Sequence, residues 1–279
     1  MNERQKKRTS GTVPLKVELA TRDEIRRGPA SGRMRKFSPE TTTDLKHVPE
    51  TLMGVKKKTC IINQYAGIGD ILFIEPIMRY YFQNDYDVIL PVVKKYLDVS
   101  SNFPYIKFVD KDLFEIDYNE QRIVENEDSI ILPLRFSYPS MRNKYEMLGL
   151  DLNKWKELTW LRHRYKEDKL KKYLGINEGE KYNLINTVFH TYHDGYRKIS
   201  LRNGLKNIHM TDTKGYSLLD WSGVIEGATN IHTVNTSIIY MLEKLDLMAK
   251  EVHIYSRNEN GADFNKTDYL FDKYYIRHN

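Results

Sequence analysis

Thr59-Cys60-Ile61-Ile62-Asn63-Gln64-Tyr65-Ala66-Gly67-Ile68-Gly69-Asp70-Ile71-Leu72-Phe73-Ile74-Glu75-Pro76 is the stretch whose reading decides the fold. A short apolar run rich in β-branched residues reads as a buried strand. The paired glycines that follow mark a tight turn, and the apolar residues from Ile71 to Asn84 then read as a helix. A second strand is expected at Asp87–Leu90, which completes a β–turn–α–β unit. Crossovers of this kind are right-handed and leave the two strands parallel.

Working outward, strands at Ile106–Val109 and Ser129–Leu132 extend the same sheet, so a first domain spans residues 59–175. Residues 153–174 read as a charged helical connector stopped by Gly175. The alternation then restarts with strand Tyr182–Phe189, strand Asn207–Met210, helix Ser217–Gly227, strand Asn230–Val234, helix Ser237–Leu247 and strand Glu251–Tyr255. Asp263–Arg277 is aromatic and helix-compatible, and is expected to pack back across the first domain as a final helix. The fold class is therefore α/β, with two Rossmann-like domains, the second spanning 176–279.

Composition narrows the function classes. The chain has 279 residues, enough for two small domains. Residues 1–58 carry 15 Lys/Arg against 7 Asp/Glu, a net +8, whereas the remainder is −2. That basic stretch is interleaved with Ser, Thr, Gly and Pro and has no apolar face, so it reads as a flexible tail. Such a tail is either a solvated leader or a loose tether to nucleic acid or an anionic surface. No apolar run reaches the length of a membrane span and no secretory signal opens the chain, so a cytoplasmic protein is expected, with peripheral surface contact at most. The single cysteine, Cys60, lies in the first strand and reads as a buried structural thiol. Eight histidines lack compact ligand spacing, so neither a protein-bound metal nor a tightly held cofactor is expected.

Chemistry is expected at the strand-to-helix turns. Gly67 and Gly69 let the backbone approach a ligand closely. Asp70 would repel a phosphate there, so it is a proton acceptor or a ligand of an acceptor sugar, or else simply a helix cap. Arg197, Lys198 and Arg202, after the first strand of the second domain, either face an anionic ligand or are ordinary solvated cations; His190 and His193 share that loop. Arg142 and Lys144, in the loop Arg135–Tyr145, either meet a phosphate or belong to a solvated basic loop.

Gly67-Ile68-Gly69-Asp70-Ile71-Leu72-Phe73-Ile74-Glu75-Pro76, with its strand before and helix after, resembles the first βα turn of the lipopolysaccharide heptosyltransferase-like glycosyltransferases of GT-B fold. The resemblance implies a general base at Asp70. A second region, Leu218 to Ser237, is similar to the donor half of such enzymes. By that resemblance Glu226 would hold ribose hydroxyls, and the turn Asn235-Thr236-Ser237 would receive the diphosphate. That family's turn is Asp-Thr-Gly with a histidine nearby, and this chain departs from it. Thr236 and Ser237 also suit an ordinary N-cap. The implied activity is transfer of a sugar from a nucleotide-diphosphate sugar to an acceptor hydroxyl, with a surface glycan or lipopolysaccharide as acceptor. Two alternatives stand beside it: a phage-type enzyme acting on hydroxymethylated bases in DNA, and a non-catalytic module that keeps the fold.

Overall fold

The computed structural model describes residues 57–65, 67–136, 141–191, 193–201, 203–257, 261–264, 268–273 and 275–278. Residues 1–56 lie outside them, and with them nearly all of the predicted tail.

β1 (Thr59–Ile62) buries Cys60 and Ile62 completely, and the chain then turns through Gly67 into α1 (Ile68–Phe73) and α2 (Glu75–Gln83). The single helix expected over 71–84 is corrected here. Pro76 has no N–H to offer the Leu72 carbonyl four residues back, so the helix breaks at Ile74 and restarts. β2 (Asp87–Val92), β3 (Lys107–Asp110), a two-residue β4 (Val124–Glu125) and β5 (Ser129–Leu132) complete a sheet of order β3-β2-β1-β5-β4. All pairings are parallel except β4 with β5.

The connector is helical only in part. After α3 (Asn143–Glu146) a 3₁₀ segment at Leu152–Glu157 buries Trp155, an extended stretch follows, and α4 (Arg164–Tyr173) closes the connection. Gly175, with φ of +65°, ends α4. Its N–H reaches the Lys172 carbonyl at 3.0 Å and that of Ile176 reaches Lys171 at 2.9 Å, the paired bonds of a Schellman stop.

The second sheet has the order β12-β11-β10-β6-β9 and is parallel throughout. The predicted strand 182–189 is shorter than expected: β6 (Tyr182–Asn186) ends and the chain folds into a hairpin, β7 (Val188–Thr191) with β8 (His193–Tyr196). β9 (Lys206–His209), α5 (Ser222–Glu226), β10 (Asn230–Val234), α6 (Ile238–Lys244) and β11 (Glu251–Tyr255) follow the predicted alternation. The final helix is replaced by a 3₁₀ turn at Asp268–Leu270 and by β12 (Ile276–His278), an edge strand on β11. The buried positions Phe264, Leu270 and Tyr275 are six and five residues apart, a spacing that no helix face repeats. Between them Phe271 packs on Trp155, and Lys156 pairs with Asp272 at 2.6 Å, so this segment does reach the connector.

Both sheets therefore follow the Rossmann pattern, and residues 55–279 form one compact unit. Phe73, Trp155, Tyr240 and Phe271, from α1, the connector, α6 and the C-terminal segment, make one aromatic cluster with ring centroids 5.6–5.8 Å apart. Contacts at that spacing are favourable beyond their buried area, and they hold α1 against α6.

Candidate functional site

In parallel α/β sheets ligands gather beyond the carboxyl ends of the strands. At that edge of the first sheet Gly67 adopts φ 87° and ψ 104°, a conformation that suits glycine. A Cβ there would come within 2.5 Å of Asp70 Oδ2, so the missing side chain also makes room for the carboxylate to lie over the turn. Asp70 stands in the first turn of α1, and no side chain caps that helix. Its partner is Lys144. The Lys144 ammonium lies 3.2 Å from Asp70 Oδ1 and donates to Gln64 Oε1 and to the Leu134 carbonyl, both at 2.6 Å. The lysine side chain is 4% exposed and that of Asp70 is 34% exposed. Burial lowers the Lys144 pKa, and the neighbouring Asp70 carboxylate acts against that shift.

Lys144 was expected either to contact a phosphate or to lie in a solvated basic loop, and both expectations are corrected. Its three donors are committed inside the protein. Arg142 stays at the surface, 3.9 Å from Glu146, with its guanidinium 5.3 Å from the Tyr269 ring.

Gly69 serves a different purpose from the one expected of it. A Cβ there would lie 3.2 Å from Tyr240 Cε2 and 3.3 Å from Ser237 Cα, so the glycine lets α1 press directly on the start of α6. The room foreseen for a ligand at that glycine is occupied by the second sheet's own turn. The first βα turn and the Asn235–Ser237 turn are thereby brought together.

On the second side, Asn186 at the end of β6 donates to Thr233 Oγ1 at 2.9 Å and to Thr236 Oγ1 at 3.2 Å. The Asn235 backbone N–H reaches the Tyr255 carbonyl at 2.8 Å, while its buried side-chain Nδ2 has no partner among the described residues. Ser237 occupies the N-cap position of α6 without making a side-chain cap bond. The Arg197 N–H returns to the Thr187 carbonyl at 2.9 Å, which sets the foot of the hairpin, and Arg197 with it, at the same sheet edge; Lys198 next to it is exposed. Arg202 lies outside the described residues, as do the side chains of His190 and His193.

Arg257, two residues beyond β11, is a cation the sequence reading missed. Asp263 accepts from its backbone N–H at 3.1 Å and from its Nε at 3.4 Å, and also from the Ser256 hydroxyl. The signal was present, since an Arg two residues past a predicted strand end is at the ligand edge of such a sheet. Tyr65 was missed as well. It follows β1 with the Arg135 guanidinium 4.2 Å from its ring centroid, Lys111 at 5.4 Å and the edge of Tyr118 at 5.3 Å. These groups give the first sheet an aromatic and cationic rim around Tyr65, five residues before Asp70.

Glu226 does not belong to this constellation. It ends α5, ahead of the first residue of β10, so the whole strand separates it from the Asn235–Ser237 turn, roughly 15 Å at ~3.3 Å per residue. Its carboxylate faces Arg162 instead, at 2.5 and 2.7 Å, with Arg164 at 3.5 Å. Burial raises its pKa, but the bonds to Arg162 and the charges of both arginines more than offset this and hold it below the ordinary carboxylate value. The ribose role in a common site with the turn is corrected: Glu226 anchors the connector to the amino-end side of the second sheet. Cys60 is buried as expected, and burial pushes its thiol pKa up. Among the described residues no group of three His, Cys, Asp or Glu is arranged to hold a metal, and no helix is long and apolar enough to cross a membrane.

Comparisons with known proteins give structural neighbours only. The chain matches no protein-family model and no curated protein. One similar solved structure is the bacterial iron-containing dodecameric glycosyltransferase TibC from enterotoxigenic E. coli, at 10% identity and a TM-score of 0.42, over 80% of this chain and 62% of that one. Another is the dodecameric iron-containing heptosyltransferase TibC in complex with ADP-D-beta-D-heptose, at 11% identity and a TM-score of 0.41, over 87% of this chain and 67% of that one. The chain thus spans about three fifths of the first neighbour's length.

Proposed function

We propose that this protein transfers a glycosyl group from a nucleotide-diphosphate sugar to an acceptor hydroxyl, with Asp70 as general base. The observation that carries the reading is the Asp70 carboxylate itself. One oxygen is held by a buried ammonium and the side chain is one-third exposed at the carboxyl edge of the first sheet, against the Asn235–Ser237 turn of the second.

In the proposed reaction Asp70 takes the proton of the acceptor hydroxyl as that oxygen bonds to the anomeric carbon. The bond from that carbon to the β-phosphate oxygen breaks, and the nucleoside diphosphate leaves with the electron pair. Charge grows on the β-phosphate, where Arg197, Lys198 and Arg257 at the second sheet's edge would oppose it. The Asn186–Thr236 pair would orient the diphosphate, and Tyr65 with Arg135 would supply a flat, cationic rim for the acceptor. A glycan or lipopolysaccharide acceptor suits that rim. A DNA acceptor is favoured by one separate observation, the +8 charge of residues 1–58.

The test is release of free nucleoside diphosphate from a panel of UDP-, GDP- and ADP-sugars, by wild type and by Asp70→Asn. Turnover of one donor by wild type is expected, with a fall of about 10²–10⁴ in the variant. Near-normal turnover in Asp70→Asn would remove the base assignment. No release from any donor would leave a non-catalytic module.

A further inference from the structure

Lys144 has so far been given only its contact with Asp70, yet its wider surroundings are specific. It comes from α3, while its acceptors come from the end of β1 (Gln64), the end of β5 (Leu134) and the first turn of α1 (Asp70). Three oxygens at 2.6, 2.6 and 3.2 Å require three N–H donors, and of the two forms of a lysine only the ammonium has three. A buried charge of this kind is stable only when paired and hydrogen-bonded, and all three legs are needed for that. The geometry also breaks the symmetry of the carboxylate. Oδ1 is tied to Lys144, whereas Oδ2 lies over Gly67, where any Cβ would collide with it.

We propose that Lys144 is a positioning residue, whose ammonium, anchored on Gln64 and Leu134, fixes Asp70 Oδ1 and leaves Oδ2 as the oxygen that receives the acceptor proton. The division of labour rests on the glycosyl-transfer reading; the ion pair and its anchoring do not. Lys144 touches no substrate in this scheme and acts only through Asp70. Tyr240 from α6 also senses the carboxylate: its hydroxyl pKa is raised first by burial and then by the Asp70 charge.

Two measurements on the full-length chain test it. The first is a proton–nitrogen spectrum of the lysine ammonium groups at neutral pH, with Lys144 assigned by its loss in Lys144→Met. A slowly exchanging Lys144 ammonium is expected, perturbed by both Asp70→Asn and Gln64→Leu. Absence of a protected ammonium, or a signal indifferent to Asp70→Asn, overturns the proposal. Lys144→Arg, which keeps the charge and loses the ammonium signal, gives the same assignment if Lys144→Met fails to fold. The second measurement is nucleoside diphosphate release from whichever UDP-, GDP- or ADP-sugar the wild type turns over. Lys144→Met is expected to lower kcat by about 10- to 100-fold, as a misplaced base would, with the donor KM within about twofold. A loss confined to KM would mean that Lys144 serves donor binding, and would overturn the positioning role. If the ammonium behaves as described but wild type turns over no donor, the ion pair stands and the transfer reading falls. If turnover is normal and the ammonium is unprotected, the positioning role falls alone.

Discussion

Glu226 and Lys144 both depart from the roles that a linear reading assigns them, and both departures come from partners far away in sequence. Glu226 stands next to a motif-like turn in the chain, but its carboxylate meets Arg162, 64 residues earlier. Lys144 lies in a stretch of cations that reads as loop surface, but its ammonium bonds Gln64, 80 residues earlier. No local periodicity encodes such pairs. Asp70 differs because the context that places it is local: a strand, a glycine turn and a helix start within a dozen residues. The structure makes a definite prediction for Glu226→Ala. Arg162 would keep Glu167 but lose one of its two carboxylates, and Arg164 would lose its contact at 3.5 Å. A stability loss of about 2 kcal/mol is expected, typical of a charged hydrogen-bond partner, with nucleotide affinity unchanged. Chemical denaturation and calorimetric titration with nucleoside diphosphates check the two halves. A weakened nucleotide affinity at full stability would restore the ribose role.

Among the elements, strands with a clean apolar core were legible and segments held by edge pairing were not. β10 and β11 have their predicted bounds because each is a short run rich in β-branched residues and flanked by turns. β12 is missed because Ile276-Arg277-His278 has no buried stripe of its own and gains its backbone partners from β11. The break at Ile74 was signalled by Pro76 and should have been read. Three parallel strands also carry a feature that only pairing reveals. His232 on β10 stacks on His253 of β11 with centroids 4.4 Å apart, and His278 of β12 stacks on Tyr255 at 4.4 Å and bonds His253 at 2.9 Å. Burial first, then the neighbouring His253 and His278, lower the His232 pKa from 6.5 to about 4; Glu251 acts weakly the other way. Below pH 6.5 the unfolded chain therefore binds a proton that folded His232 refuses. Stability from this group is level above pH 6.5 and falls as the pH drops toward 4, by about 3 kcal/mol in all. Denaturation midpoints measured across that window should slope downward in wild type and flatten in His232→Phe. Equal slopes in the two proteins would place the acid sensitivity elsewhere.

At the scale of the molecule, the two sheets are joined by α1 pressed on α6 and by the aromatic cluster through Phe73, Trp155, Tyr240 and Phe271. The class of fold was legible because strand and helix alternate twice; the contact between the halves was not, because Gly69 reads as a turn residue until Ser237 is seen against it. Charge is distributed on this same scale. Residues 1–58 hold +8 and the remaining chain −2, so any attraction to a polyanion resides almost entirely in the amino-terminal stretch. Binding through lysines and arginines releases counterions from the polyanion, and each phosphate neutralised on duplex DNA steepens the salt dependence by roughly 0.9 in the log–log slope. Deleting residues 1–55 is therefore expected to weaken binding to duplex DNA or to anionic vesicles at low salt and to flatten the salt dependence. Donor turnover should survive, because the first strand starts at Thr59, beyond the cut. Titrating both forms with DNA and with vesicles at two salt concentrations separates the cases. Loss of DNA binding in the truncated form, with no vesicle binding in either, would move the acceptor assignment from glycan to modified DNA, since a polyanion tether is of use where the acceptor hydroxyl is part of the polyanion. Superimposable curves for the two forms would deprive the DNA acceptor of the one observation that favours it, and the glycan reading would then rest on the aromatic and cationic rim at Tyr65 and Arg135.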